Sequence, residues 1–155
     1  MKAPRSWRAL AGAAAICVFG GGLGADAADD PAGLIKYRQL LMQQAEATLA
    51  GMGVYMKGQI DFKPGFADQA LAIAATARDF ANLFPPGSDK GAKTNAKPDV
   101  FANAQMFRGA TMRFGQDATR LAELARAGDE AGFKAQFQVL ADRCGGCHER
   151  FRAPL

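Results

Sequence analysis

The sequence predicts an all-α protein, and two features indicate an antiparallel up-and-down four-helix bundle. From about residue 31 onward, apolar residues recur at spacings of three and four, and no stretch alternates apolar and polar residues with β-branched enrichment. Turns that contain glycine and proline divide this region into four helical runs. The connections between the first and second runs and between the third and fourth are short, which favours antiparallel neighbours.

The first two predicted helices are bounded by clear start and stop signals. Asp29 or Asp30 can cap the first helix by accepting hydrogen bonds from its free backbone N–H groups, and we expect this helix to run to about Lys57. Pro64-Gly65 separates it from the second helix, which ends before the Pro85-Pro86-Gly87 turn.

The last two predicted helices follow a loop rich in glycine, lysine and proline over roughly 85–98. The third helix opens at Pro98-Asp99 and ends at Gly128, because glycine readily adopts the left-handed conformation that closes a helix. Asp129 can cap the fourth helix, which carries apolar side chains on one face as far as Phe151.

Residues 1–27 have the pattern of a cleavable secretory signal. Three of the first eight residues are basic, residues 9–24 are apolar and interrupted by glycines, and Ala25-Asp26-Ala27 offers small residues where a signal peptidase reads. An uncleaved membrane anchor is disfavoured because the run falls short of the roughly 20 apolar residues that span a bilayer. We therefore expect a domain over 28–155, exported and soluble in the periplasm.

Signal removal also changes the charge and the cysteine content. The full chain holds 19 basic and 15 acidic residues, and the mature chain would keep 16 and 14, a net charge of about +2. This excludes a strongly basic nucleic-acid binder. No later run is apolar enough to span a membrane, so we expect no membrane association after cleavage. Cys17 leaves with the signal, so the mature chain retains Cys144 and Cys147.

The chemistry-bearing motif is Cys144-Gly145-Gly146-Cys147-His148, the C-x-x-C-H signature of haem attachment. Two thiols three positions apart on a helix share a face, so both can form thioethers with the haem vinyl groups. The adjacent His148 then presents an imidazole nitrogen to the iron. The sequence thus predicts one haem c, bound covalently through Cys144 and Cys147 near the C-terminus of the bundle, with His148 as an iron ligand.

Other uses of the two cysteines fit less well. A disulfide between them would close a very short loop and connect nothing distant. Zinc needs about four ligands, whereas the mature chain offers two cysteines and the single histidine of the sequence. A thioredoxin-like redox site needs a strand before the motif, and a helix precedes it here.

The opposite face of the iron must be met by a methionine, another weak ligand, water or nothing, because the chain has no second histidine. In an up-and-down bundle the end of the fourth helix lies level with the start of the first. Met42 is therefore a candidate ligand, and Met106, near the start of the third helix, is its rival. Met52 and Met56 lie too far along the first helix and are better interpreted as core residues.

The chain resembles the class II c-type cytochromes, which comprise the cytochromes c′ and their low-spin relatives. The likeness spans the mature chain and is carried by Lys36-Tyr37-Arg38-Gln39 followed by Met42, by the Phe84-Pro85-Pro86-Gly87-Ser88 turn, by Lys97-Pro98, and by the run from Cys144 to Arg152.

This resemblance implies positions for four side chains around the haem. Met42 would point at the open face of the iron, and Arg38 and Arg152 would lie beside the haem, near the propionates or the mouth of the pocket. Many members have a tryptophan at the opening of the third helix, where this chain has Phe101. The phenylalanine would preserve packing on the haem but removes an indole hydrogen-bond donor.

Two functions stay open at this point. In the first, which we favour from the sequence, Met42 and His148 both bind the iron and the protein carries electrons to an unidentified periplasmic redox partner. In the alternative, the iron is five-coordinate as in cytochrome c′ and binds nitric oxide or carbon monoxide. An enzyme such as a peroxidase finds little support, because no histidine remains for acid–base work on the distal side.

The resemblance also implies a homodimer through the first two helices. Val54, Tyr55 and Ile60 are the apolar residues that could contribute to such a surface. Near-zero net charge, once the haem propionates are included, predicts no strong electrostatic steering toward a charged partner.

Overall fold

Four long helices and one short helix make up the protein in a computed structural model that describes residues 29–61 and 65–154. The predicted signal, 1–27, lies outside the described residues. Within the described residues there is no β-strand, and no helix is long and apolar enough to cross a membrane. The helices are α1 (Pro31–Met56), α2 (Phe66–Phe80), α3 (Asp99–Ala102), α4 (Ala104–Ala127) and α5 (Glu130–Phe151). The predicted all-α fold is confirmed.

The predicted helix ends are confirmed where side-chain caps specify them. The Asp30 carboxylate accepts hydrogen bonds from the backbone N–H groups of Ala32 and Gly33, at 3.3 and 2.9 Å. Gly128 closes α4 with φ of 67°, a left-handed conformation that costs glycine little. Asp129 then caps α5. Local side-chain and backbone chemistry therefore specifies these boundaries.

Two boundaries differ from the prediction. The second helix keeps α-helical geometry only to Phe80 and continues as a 3₁₀ turn over Ala81–Leu83. The third is split at Asn103, whose backbone leaves the helical region at φ −120° and ψ 44°. The Asn103 side-chain amide donates to the Asp99 carboxylate at 2.6 Å, a local bond that competes with the regular helix. The short α3 therefore stands apart from α4.

One end of the bundle is closed by an aromatic cluster. Tyr55 near the end of α1 meets Phe66 at the start of α2, with ring centroids 5.5 Å apart, and Phe66 stacks on Phe133 near the start of α5 at 5.6 Å. Leu124 near the end of α4 is buried in the same cluster. The ends of α1 and α4 thus lie beside the starts of α2 and α5.

The other end holds a second cluster, built on four buried residues. Phe80 at the end of α2 and Phe151 at the end of α5 both pack on Phe107 near the start of α4, at 6.4 and 5.1 Å between centroids. Val100 of α3 completes the buried set. Successive long helices therefore run in opposite directions, and the predicted up-and-down four-helix bundle is confirmed. We call Phe80, Val100, Phe107 and Phe151 with their apolar neighbours the second cluster.

One of the three residues predicted for a dimer surface, Tyr55, is buried in the core instead. Tyr55 is only 6% exposed, because its ring packs edge-on against Phe66 and Phe133 in the core. Val54 and Ile60 are exposed, as a surface role requires. Tyr55 therefore serves the core of this chain.

Helices α2 and α4 pack closely at Gly115. A Cβ atom at position 115 would lie 3.3 Å from the Cβ of Ala77 and 3.5 Å from the carbonyl oxygen of Ala74. Such small residues allow two helix backbones to approach, and there is no room for a branched side chain at this crossing.

We expect Gly115→Val to lower the free energy of unfolding by about 1–3 kcal/mol, because the added methyl groups must push α2 away from α4. Urea denaturation of the holoprotein measures the change. Gly51→Val is the matched control, since a side chain at Gly51, also inside a helix, meets open space. Equal stability of the two variants would contradict the close packing at Gly115.

Candidate haem-binding site

The last turns of α5 bring the predicted attachment residues onto one face. Cys144 and Cys147 are half-buried and are not bonded to each other. His148, four residues after Cys144, is also half-buried. Gly145 and Gly146 are exposed, and a side chain at either would meet open space. Since positions three and four apart share a helix face, the two thiols and the imidazole lie on one side of α5.

The thiols have the properties of buried, unreactive groups. Burial, with a smaller contribution from Cys147, raises the pKa of Cys144 to about 11, and burial also raises the pKa of Cys147. Redox-active C-x-x-C sites do the opposite and lower a thiol pKa. No group of three or more His, Cys, Asp or Glu residues that could hold a metal ion occurs in 29–61 and 65–154. Redox-active and zinc-binding uses of these cysteines are therefore disfavoured.

The surroundings of His148 reach across to α1. Burial lowers the pKa of His148, the charge of Arg152 lowers it further, and Glu46 opposes both. A neutral imidazole keeps the nitrogen lone pair that a metal ligand needs. Glu46 stands one helical turn after Met42, so this part of α1 lies within electrostatic reach of His148.

The second cluster provides an apolar surface beside the motif. Its partly buried members include Cys147 itself, together with Met42 from α1 and Phe101 from α3. The structure therefore brings together three predicted site residues that are up to 105 positions apart in the sequence. Apolar and aromatic groups with a thiol at their edge and an imidazole beside them fit a porphyrin, whose faces are apolar. The residues present thus fit the predicted haem.

The methionines are separated clearly by their positions. Met42 belongs to the cluster that contains Cys147, whereas Met52 and Met56 lie in the aromatic core at the opposite end. Met106 is 45% exposed, and Met112 is exposed as well, both on α4. Among the described methionines, Met42 is therefore the one that lies with the attachment residues, and Met106 does not share that surface.

Arg38 is buried, with 3% of its surface exposed, and both terminal nitrogens of its guanidinium donate hydrogen bonds within the chain. Nη1 donates to the Leu83 carbonyl at 3.2 Å and to Ser88 Oγ at 3.1 Å. Nη2 donates to the Ser88 carbonyl at 2.7 Å and to Thr94 Oγ1 at 3.3 Å. The guanidinium carbon also stands 4.2 Å from the centroid of Phe84. Arg38 thus borders the second cluster through Phe84, while both terminal nitrogens bond the segment that follows α2.

Sequence reasoning missed the partners of this arginine. Burial lowers the pKa of Arg38, opposed by Asp89, and a buried guanidinium needs acceptors to offset the loss of water. In the sequence, Ser88 stands out only as part of a turn motif, and nothing indicates Thr94 as a partner of Arg38. An arginine among the buried positions of α1 was the clue that acceptors were required nearby.

On the other side of the site, the C-terminal residues pair with the segment before α3. Arg152 and Ala96 form an antiparallel bridge, in which the Lys97 N–H donates to the Phe151 carbonyl at 2.9 Å. The Lys97 ammonium donates to the Glu149 carbonyl at 2.8 Å. Arg152 is half-buried and lines one cleft with His148 and Lys97. The structure therefore brings Arg152 beside the predicted iron ligand.

The chain is similar in sequence and in fold to known proteins. The family model described as cytochrome c′ matches residues 33–152. A cytochrome c′ from Rhodospirillum rubrum is 31% identical over 126 residues, covering 81% of this chain and 86% of that protein. Cytochrome c-556 from Agrobacterium tumefaciens is 30% identical over 122 residues, covering 78% of this chain and 98% of that protein. The solved structure of cytochrome c prime from Shewanella frigidimarina is similar with a TM-score of 0.74 at 28% identity, covering 81% and 98% of the two chains. The chain therefore belongs to the cytochrome c′ family of class II c-type cytochromes, with one haem c attached covalently through Cys144 and Cys147.

Proposed function

We propose that this protein binds nitric oxide or carbon monoxide at a haem whose iron is held by His148 and is open on its other face. The observation that carries the proposal is the match of residues 33–152 to the family model described as cytochrome c′. A five-coordinate iron is the alternative that the resemblance to cytochrome c′ offered. Relatives named cytochrome c′ are 31% and 32% identical to the chain. This favours gas binding over electron transfer, the function that the sequence alone favoured.

The residues of the chain have separate roles in this proposal. Cys144 and Cys147 anchor the haem to α5, and His148 supplies the imidazole ligand. When bound, a ferrous haem with one open face supplies a coordination position for a small gas molecule. Met42, from α1, crowds that face with an apolar side chain, and Phe101 packs on the same surface through Phe84, with ring centroids 6.2 Å apart. A crowded apolar face admits diatomic molecules and hinders larger polar ligands.

Electron transfer is the second candidate, and two observations favour it. Met42 is the described methionine in the cluster that contains Cys147. The relative from Agrobacterium tumefaciens, at 30% identity, is named cytochrome c-556 rather than cytochrome c′. A thioether sulfur paired with a histidine raises the reduction potential and keeps the coordination nearly constant between redox states. In that case the partner would be a periplasmic redox protein.

The proposal places the mature protein, 28–155, in the periplasm. Residues 1–27 have the pattern of an export signal, and the mature chain would carry its two cysteines in the attachment motif. We infer binding rather than catalysis, because the one histidine of the chain stands in the attachment motif and leaves none for acid–base work.

The absorption spectrum of the holoprotein separates the two candidates. We expect high-spin character in the ferric form and rapid carbon monoxide binding by the ferrous form, because an open face offers the gas a free coordination position. A low-spin ferric spectrum with slow carbon monoxide binding would replace this proposal with electron transfer.

Met42→Ala tests the crowding of the open face. We expect carbon monoxide to associate about tenfold faster, which corresponds to the removal of about 1.4 kcal/mol of steric barrier. Stopped-flow mixing of the ferrous protein with carbon monoxide measures the rate. Met106→Ala is the matched control and should leave the rate unchanged, because Met106 is exposed on α4. A rate that responds to Met106→Ala and not to Met42→Ala would contradict the assigned face.

A further inference from the structure

Residues 84–97 form a segment, here called the strap, that links the start of α1 to the end of α5. On its way from the 3₁₀ turn to α3 it passes close to the first turn of α1: a Cβ at Gly91 would lie 3.3 Å from the backbone nitrogen of Ala32. The side-chain amide of Gln39 donates to the Lys93 carbonyl at 3.0 Å. The strap therefore lies against the N-terminal half of α1.

Arg38 is the main attachment of the strap to α1. Three of its four hydrogen bonds end on the strap, two on Ser88 and one on Thr94. Ser88 is only 1% exposed, so water cannot replace the guanidinium as its partner. Hydrogen bonds from a charged donor are also stronger than those between neutral groups. Loss of the Arg38 hydrogen bonds would therefore leave the strap attached to α1 by the exposed bond from Gln39 to the Lys93 carbonyl.

The far end of the strap is attached to the residues that end the haem-binding helix. The Ala153 N–H donates to the Asn95 carbonyl at 2.7 Å, and the Asn95 side chain donates to the Pro154 carbonyl at 2.9 Å. Together with the bridge between Ala96 and Arg152, these bonds extend the attachment over residues 152–154. The strap thus holds residues 152–154, which begin four positions after His148.

Thr94 connects the two attachments. Its hydroxyl oxygen accepts from Arg38 Nη2 at 3.3 Å and from the Ala96 backbone N–H at 3.2 Å. Ala96 in turn is the residue that pairs with Arg152. A continuous series of contacts therefore leads from Arg38 through Thr94 and Ala96 to the end of α5.

The two ends of this series lie near the predicted haem-facing residues. Arg38 precedes Met42 by four residues on α1, and residues at that spacing share a helix face. Arg152, the extended residue that follows α5, lines one cleft with His148. The backbones of α1 and α5 approach each other at far fewer points than those of α4 and α5. The strap therefore bridges the helix of Met42 and the helix of His148 at this end of the bundle.

We propose that Arg38 is a positioning residue that, through the strap, sets the separation between α1 and the end of α5 and so how closely Met42 approaches the iron. The inference rests on the proposed roles of His148 and Met42. It differs from a direct contact between Arg38 and the haem propionates, because both terminal nitrogens of the guanidinium already donate to the strap and to Leu83.

Thr94→Val is the sharpest test, because it removes the shared acceptor while preserving the shape of the side chain and leaving the bonds of Arg38 to Ser88 in place. In the holoprotein we expect carbon monoxide to associate about threefold faster or more, since a weaker link between α1 and the end of α5 lets Met42 move away from the iron. Amide hydrogen exchange should accelerate within 84–97. Arg38→Lys should change both readouts in the same direction, and the double variant should add little to the larger single effect.

Matched controls are available on the exposed side of the bundle. Thr119→Val removes a hydroxyl that bonds only within its own helix, to the Gly115 carbonyl. Arg120→Lys changes an exposed arginine paired with Glu123. Neither variant touches the strap, so both should leave the carbon monoxide rate and the exchange within 84–97 unchanged.

Two results would overturn the inference. If Arg38→Lys alters the rate and Thr94→Val does not, Arg38 acts on the haem directly. If amide hydrogen exchange within 84–97 rises while the rate of carbon monoxide association stays constant, the strap only stabilises the fold. Should Arg38→Lys fail to fold, the same two measurements are compared between Thr94→Val and Ser88→Ala, which each remove an acceptor of Arg38.

The absorption spectrum of the unaltered protein tests the proposed function separately from the strap. If that spectrum is low-spin, gas binding at an open face is wrong, and the strap is then judged by whether Thr94→Val weakens the bond between Met42 and the iron. A low-spin fraction that stays unchanged in Thr94→Val would overturn the inference in this case as well.

Discussion

The opposite directions of α1 and α5 are the constraint on which the haem site depends. A haem attached to the last turns of one helix needs a second helix to cover its other face. Aromatic clusters at both ends of the bundle stabilise these directions, with Tyr55, Phe66 and Phe133 at one end and Phe107 and Phe151 at the other. Burial of these rings brings the start of α1 level with the end of α5, which is why Met42 and Cys147 share a cluster.

A buried guanidinium accompanies this arrangement. Removing an arginine from water is costly unless its donors find acceptors, and in this chain the segment after α2 provides them. Leu83, Ser88 and Thr94 each offer an oxygen to Arg38, and Phe84 covers one face of the guanidinium. The long connection between α2 and α3 is therefore not a free loop. Its conformation is tied to a charged side chain on the helix that faces the haem.

The two functions considered for this protein differ in one bond, the bond between the Met42 sulfur and the iron. With the Met42 sulfur on the iron, both axial positions would be filled by the chain, which suits electron transfer. With Met42 only packed against that face, the position stays available to a small molecule. The same apolar cluster serves both cases, and in our proposal the difference depends on a small change in the separation of α1 and α5. Families of one fold can therefore contain both kinds of protein.

Local signals in the sequence determined the helix caps at Asp30 and Asp129, the attachment motif on α5 and the alternating directions of the helices, because each depends on neighbouring residues or on short connections. Tertiary structure alone decided that Tyr55 faces inward and that Arg38 bonds Ser88, a partner 50 positions away. The break at Asn103 was also missed, since an asparagine with an aspartate four residues earlier is compatible with an unbroken helix. Periodicity identifies a buried face, but it does not say which distant side chains will meet it, and that choice is made by packing.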